Sequence, residues 1–151
     1  MGSVTCCICL TNECGGDVVH PMRCLITGAT GFLGSHLTLA LAGTTDWTLH
    51  GTSHKNPERL TIPQDRVQIV QCDFRDQTAV DALVQQSQPD LVFHLAAQSL
   101  PAASWQNPRD TLDANVLGSI NLYEAVQKQE NSARIIFVGS SAEYGSGTAK
   151  G

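Results

Sequence analysis

The chain has 151 residues, 42% of them hydrophobic and 15% charged, enough for one domain with its own core and too apolar for a disordered chain. Its 9 basic and 14 acidic residues leave a net charge of −5, so no basic excess exists to neutralise the phosphates of a nucleic acid or an anionic membrane. No uninterrupted apolar run is long enough to span a bilayer.

The first segment, "MGSVTCCICLTNECGGDVVHP", crowds Cys6, Cys7, Cys9 and Cys14 together but lacks the basic start and apolar stretch of a secretory signal. With His20 these thiols suggest zinc, yet their spacing fits no paired Cys-x-x-Cys pattern, and no metal is expected. Residues 1–21 read as an unstructured Cys-rich extension, and 22–151 as the domain. Cys24 and Cys72 fall inside apparent strands as small buried apolar residues, which suits a reducing, cytoplasmic setting.

From Met22 onward, strands and helices alternate. "RCLIT" (Arg23–Thr27) is a short apolar run that ends at a glycine-rich loop and reads as a buried strand. "FLGSHLTLALAG" has Leu33, Leu37, Ala40 and Leu41 at helical spacing, with Gly43 as a stop. "WTLHGT" (Trp47–Thr52) and "VQIVQC" (Val67–Cys72) are the next strands, separated by a polar, proline-broken loop. Thr78–Ser87 makes a helix with Val80, Leu83 and Val84 on one face and Asp76 as its cap.

"DLVFHLAA" (Asp90–Ala97) is a fourth strand, apolar throughout as expected where both faces of a sheet are covered. Asn107–Gln129 reads as one long helix opened by Pro108, with Leu112, Val116, Ile120 and Tyr123 as its core stripe. "RIIFVGSS" (Arg134–Ser141) is a fifth strand. This alternation predicts an α/β, Rossmann-like doubly wound parallel sheet of order 3-2-1-4-5, with ligands at the carboxyl ends of its strands.

"TGATGFLG" places Gly28, Gly31 and Gly34 immediately after a strand and before a helix, the context that gives three glycines their meaning. Gly28 permits the tight turn, Gly31 lets backbone approach a pyrophosphate, and Gly34 lets the helix pack close to the sheet. Thr30, Phe32 and Leu33 complete the expected dinucleotide loop, and the helix start offers free N–H groups and a positive dipole end. The end of the second strand, "GTSHK", has no acid to accept from a ribose 2′-hydroxyl; Ser53, His54, Lys55 and Arg59 are donors instead, which favours NADP over NAD. In "CDFRD", Asp73 is placed to accept from an adenine amino group while Phe74 lines the ring's edge.

Five motifs in order, "TGATGFLGSHL", "CDFRD", "HLAAQS", "NVLGSINLYEAV" and "FVGSSAEYG", resemble the extended short-chain dehydrogenase/reductase family of nucleotide-sugar epimerases and dehydratases. "HLAAQS" and "GSSAEYG" look most like its GDP-mannose 4,6-dehydratase and GDP-6-deoxymannose reductase branch. The resemblance implies that Leu95, Ala96 and Ala97 form a wall beside the ribose and nicotinamide, and that Gln98 and Ser99 point toward a sugar nucleotide, with a GDP-sugar favoured. It implies that Asn115 bonds backbone near the fourth strand and steadies the active site. Alignment from the fifth strand gives Ser141 the catalytic hydroxyl, whereas alignment from "YG" gives it to Ser140. Glu143 resembles the dehydratases' base, though it also fits an exposed loop carboxylate.

The family's chemistry also uses a Tyr-x-x-x-Lys pair, in which lysine lowers the tyrosine's pKa. Tyr144 is followed four residues later by Thr148, and Tyr123 by Gln127, so neither belongs to such a pair. The sequence therefore reads as the first half of a longer enzyme, inactive alone, or as a non-catalytic dinucleotide-binding module. The family's complete members commonly pair through the long helix and the one after it. If a covering helix is absent, Ile135, Ile136 and Phe137 are partly uncovered. The isolated chain is then expected to bind a hydrophobic dye and to aggregate in light scattering; a monodisperse, cooperatively melting monomer is the contrary result.

Overall fold

The computed structural model describes residues 20–54, 65–129 and 132–140. The N-terminal cysteine cluster, Lys55, Arg59, Ser141 and Glu143 lie outside them. Five parallel strands, β1 (Arg23–Thr27), β2 (Thr48–Ser53), β3 (Val67–Gln71), β4 (Leu91–His94) and β5 (Arg134–Phe137), form one sheet in the order β3-β2-β1-β4-β5. This is the doubly wound arrangement expected from the alternation of strands and helices. β1 lies at its centre, with Leu25 paired to His50 on one side and to Val92 on the other. Cys24, Leu25, Ile26 and Thr27 are all fully buried, which explains why this strand reads as unbroken apolar sequence rather than alternating.

Successive β1 side chains enter opposite layers. Cys24 and Ile26 join Leu49 and Val67 beneath α1 (Phe32–Thr44), whose Leu37, Leu41 and Ala42 pack on them. Leu25 joins Val92 beneath α2 (Gln77–Ser87) and α5 (Gly118–Gln127), whose Val80, Leu83, Val84, Leu122, Ala125 and Val126 fill the other layer. Asp76 caps α2 as expected, accepting from the Thr78 and Ala79 amides at 2.9 and 3.3 Å. The helix ends where Gln88 turns left-handed (φ 43°) ahead of buried Pro89.

The amino ends of the central strands are fastened together. Arg23 grips Asp90 through its backbone amide at 2.9 Å and its guanidinium at 2.8 and 3.2 Å. The Asp90 amide returns a bond to the Arg23 carbonyl, and the Asp90 carbonyl accepts from Arg134 of β5. The Arg23 guanidinium and amide on its oxygens hold the Asp90 carboxyl below its usual range.

Two helical faces differ from expectation. In α1 the buried residues are Gly34 and Thr38, while Leu33 and Ala40 face outward. The cause is contact at Gly34, which sets the helix's rotation; the buried Thr38 hydroxyl is satisfied by the Gly34 carbonyl at 2.7 Å. The region expected as one long helix, Asn107–Gln129, runs without a break from α4 (Pro108–Leu112) through a π-turn (Asp113–Leu117) into α5, and a separate α3 (Pro101–Gln106) precedes it. In the π-turn the Gly118 amide reaches the Asp113 carbonyl five residues back, and the extra residue advances the helical phase by about 100°. Leu112, Val116, Ile120 and Tyr123, expected in the core, are 60, 48, 45 and 49% exposed. The buried face is Gly118, Leu122, Ala125 and Val126.

The strand ends also shift by a few residues. β4 stops at His94 and β5 at Phe137, short of Ala97 and Ser141. On β5, Ile136 and Phe137 are 38 and 50% exposed. The helix-face assignment is testable by urea unfolding in dilute solution. Leu122→Ala empties a fully buried site and is expected to cost about 3 kcal/mol, whereas Leu112→Ala, at an exposed site, changes stability by about 0.5 kcal/mol or less. Equal losses would contradict the phase described here.

Candidate functional site

Where β1 ends, the chain turns through Gly28 at φ +66°, a conformation that L side chains rarely adopt. A Cβ there would sit 3.0 Å from the Ala96 backbone. The Gly28 amide donates to the Thr52 hydroxyl at 3.0 Å and the Ala29 amide to the Thr52 carbonyl at 2.9 Å, which seats the loop on β2. A Cβ on Gly34 would lie 2.1 Å from the Gly28 oxygen, so no other residue lets α1 begin directly against the turn. Gly31 caps α1 without a side-chain hydrogen bond, and the first turn carries no acid. The first amides of the helix, which have no carbonyl one turn back, therefore face the carboxyl end of the sheet with no competing anion on their own helix.

That end opens into a cleft of about 520 Å³ at the β1–β4 junction, where the winding of the sheet reverses. The loop contributes Gly28, Thr30 and Gly31 to its lining. His54 follows from β2, Asp73 and Phe74 from β3, and Leu95, Ala96, Ala97 and Gln98 from the segment after β4. Other expected residues lie elsewhere. Phe32 and Leu33 are exposed on the first turn of α1, and Gly34 is buried behind the loop. Ser53 is buried, with its hydroxyl accepting from Thr30 at 3.3 Å, so it supports the loop from beneath. Ser99 is exposed outside the lining, and Ser140 is exposed in the coil after β5.

Sequence reasoning missed the wall opposite the loop, where Leu100, Ala103, Asn107, Asp110 and Thr111 come from α3, α4 and their flanks. The signal was available: Pro101 and Pro108 each suit a first helical turn and divide the segment at Asn107. It also missed Arg75, whose guanidinium grips Asp73 at 2.6 to 3.1 Å while its amide bonds the same carboxylate at 3.0 Å. Those bonds hold the Asp73 carboxyl down to about 2, with a smaller contribution from His54. Asp73 is thus a fixed anion and acceptor at the cleft mouth. The close fit of Gly118 against Phe74, and the Asn121 amide on the Phe74 carbonyl at 2.8 Å, tie this loop to α5.

Beneath the cleft runs a chain of buried polar groups. The Thr27 hydroxyl accepts from the Leu95 and Ala96 amides, both at 3.0 Å, and lies 2.9 Å from His94 Nδ1. His94 Nε2 lies 3.0 Å from the Ser119 hydroxyl, which donates to the Asn115 carbonyl at 2.6 Å. The Asn115 side chain then holds both polar groups of the Gln98 backbone, accepting at 2.7 Å and donating at 3.1 Å. Burial pushes the His94 imidazole down to about 4. Among the described residues no three His, Cys, Asp or Glu side chains gather as a metal site, and no helix is long and apolar enough to cross a membrane.

A family model described as "NAD dependent epimerase/dehydratase family" matches residues 24–151. The chain is 32% identical over 139 residues to CDP-paratose 2-epimerase of Salmonella typhi, a match covering 82% of this chain and 38% of that protein. It is 34% identical over 129 residues to dTDP-glucose 4,6-dehydratase of Mycolicibacterium smegmatis, with the same 82% and 38% coverage. Among solved structures, UDP-glucose-4-epimerase of Stenotrophomonas maltophila with bound NAD and formylated UDP-arabinopyranose aligns with a TM-score of 0.70 at 28% identity, over 82% of this chain and 38% of that one. The chain therefore spans well under half the length of each of these relatives.

The buried imidazole gives stability a pH dependence of definite sign. An unfolded His94 binds its proton near pH 6.5 and the folded one only near 4, so between these values the unfolded state holds more protons. The stabilisation is complete above pH 6.5 and falls as pH drops toward 4, by up to about 3 kcal/mol. Urea midpoints measured across this range should fall with acidity in the native chain and do so less in His94→Gln. Identical slopes would remove His94 as the cause.

Proposed function

Because the chain belongs to the NAD dependent epimerase/dehydratase family, we propose that residues 22–151 form the coenzyme-binding part of an NADP-dependent enzyme acting on a nucleotide sugar. The carrying observation is the glycine loop at the β1–β4 junction, where Gly28 and Gly34 leave no room for side chains and the uncapped start of α1 faces a cleft of about 520 Å³. A diphosphate fits there by charge and by available donors. Asp73 is the acceptor for an adenine amino group beside Phe74, and Leu95, Ala96 and Ala97 flank the ribose and nicotinamide. NADP is favoured over NAD because "GTSHK" brings no carboxylate to the end of β2, while His54 stands at the cleft mouth with Lys55 and Arg59 following in sequence.

When bound, the coenzyme supplies reversible hydride transfer at its nicotinamide. The chain's own residues bind and orient. Gln98 and Ser99 face the sugar nucleotide, and Ser141, or Ser140 in the shorter alignment, bonds the reacting sugar oxygen. In a dehydratase, Glu143 takes the proton from the carbon beside a transient 4-keto group as water leaves across C5 and C6; a reductase or epimerase omits this elimination. The preference for a GDP-sugar rests on "HLAAQS" and "GSSAEYG" alone, while the relatives above carry CDP-, dTDP- and UDP-sugars in their names. The complete enzyme is cytoplasmic and homo-oligomeric, with the exposed Leu112, Val116, Ile120 and Tyr123 as part of the contact.

No Tyr-x-x-x-Lys occurs in these 151 residues, so the chain by itself binds coenzyme without turning over a sugar nucleotide. A second reading, a dinucleotide-binding module without catalysis, shares this feature and is not separated from the first by it. Calorimetry with NADPH and NADH is the test. NADPH should bind at least about tenfold more tightly than NADH, and Gly28→Val should weaken both by about tenfold or more. Tighter NADH binding overturns the coenzyme preference, and no heat with either from folded protein overturns the functional reading.

A further inference from the structure

We propose that His94 is a positioning residue: held neutral with its proton on Nε2, it locks the glycine loop and the Leu95–Gln98 wall at one fixed separation. The importance of that separation for coenzyme binding rests on the functional reading above; the lock itself does not.

The proton positions follow from counting lone pairs. Thr27 Oγ1 accepts two backbone N–H groups, from Leu95 and Ala96, which occupies both of its acceptor sites. Its single hydrogen then points to the remaining neighbour, His94 Nδ1 at 2.9 Å, so Nδ1 carries no proton. A neutral ring has its proton on Nε2, which donates to Ser119 at 3.0 Å, and Ser119 passes its own hydrogen to the Asn115 carbonyl. Every hydrogen in the chain has one direction. Phe74 and Phe137 meet the ring edge-on, with centroids at 5.7 and 5.3 Å, and hold its plane.

The chain links three separate pieces of structure. Thr27 immediately precedes Gly28, where an added Cβ would sit only 3.0 Å from the Ala96 backbone. Ser119 and Asn115 belong to α5 and the π-turn, and Asn115 fixes Gln98 by two bonds. A shift of His94 would therefore change the gap between loop and wall at one end and release α5 at the other. Placing a proton on Nδ1 would set two donors against each other at Thr27, so the lock holds only for the neutral ring.

The test uses the whole chain with ¹⁵N-labelled histidine. His94→Gln identifies the His94 signal, which should show a protonated Nε2 and an unprotonated Nδ1 from pH 5 to 8. Thr27→Ser, which keeps the hydroxyl, should preserve this pattern, slow exchange of the Leu95, Ala96 and Gln98 amides, and NADPH affinity within about twofold. Thr27→Val should lose the fixed tautomer, speed exchange of those three amides selectively, and weaken NADPH about tenfold at temperatures well below melting. A His94 ring protonated on Nδ1, or Thr27→Val amides and affinity matching the native chain, overturns the lock while sparing coenzyme binding. The expected tautomer and exchange pattern with no NADPH binding supports the lock and overturns the functional reading instead.

Discussion

The structure depends on a contact between two glycines. α1 begins so close to the turn after β1 that a Cβ on Gly34 would lie 2.1 Å from the Gly28 oxygen. A helix start can face a ligand at the end of a sheet only if the chain reverses at once, and this reversal needs a left-handed residue at Gly28 and a bare backbone at Gly34. The same contact fixes the rotation of α1. Thr38 is buried because it lies one turn beyond Gly34, while Leu33 faces solvent despite its hydrophobicity.

Around this contact the polar groups are paired rather than excluded. Thr27, Thr52, Ser53 and His94 are buried at the carboxyl end of the sheet, where parallel strands release their backbone groups and the loops must be held by side chains. Thr52 holds Gly28, Ser53 meets Thr30, and Thr27 holds Leu95 and Ala96. Hydroxyls suit this work because one small group both donates and accepts. The apolar layers on the two faces of the sheet supply cohesion, and these hydroxyls supply the shape of the cleft.

Much of this was legible in the sequence. Short apolar runs separated by helical periods gave five strands and their order, because a parallel sheet covered on both faces needs nearly continuous apolar strands. The glycine loop was legible because its spacing is dictated by backbone geometry. The packed face of the region after Pro108 was not. Leu112, Val116, Ile120 and Tyr123 keep helical spacing as well as Leu122 and Val126 do, and hydrophobicity alone cannot choose between two apolar stripes on one helix. The π-turn, which shifts the phase between them, depends on tertiary fit at Gly118 and Phe74. Ser53 is expected among the ligand's donors because the end of the second strand carries no acid; its burial beneath Thr30 is a three-dimensional fact with no local signature. Arg75 was overlooked because its carboxylate partner is only two residues away, a pairing that short-range patterns seldom record.

The bonds at the other end of the sheet have their own consequence. Arg23, Asp90 and Arg134 stitch β1, β4 and β5 together at their amino ends, about four residues of strand away from the cleft. The sheet's alignment thus has an anchor of its own at the end away from the loops that meet a ligand. Outside the two glycines, side chains on those loops can change without loosening the strands, so a scaffold anchored at its base can be refitted for a different small molecule without first relearning how to fold.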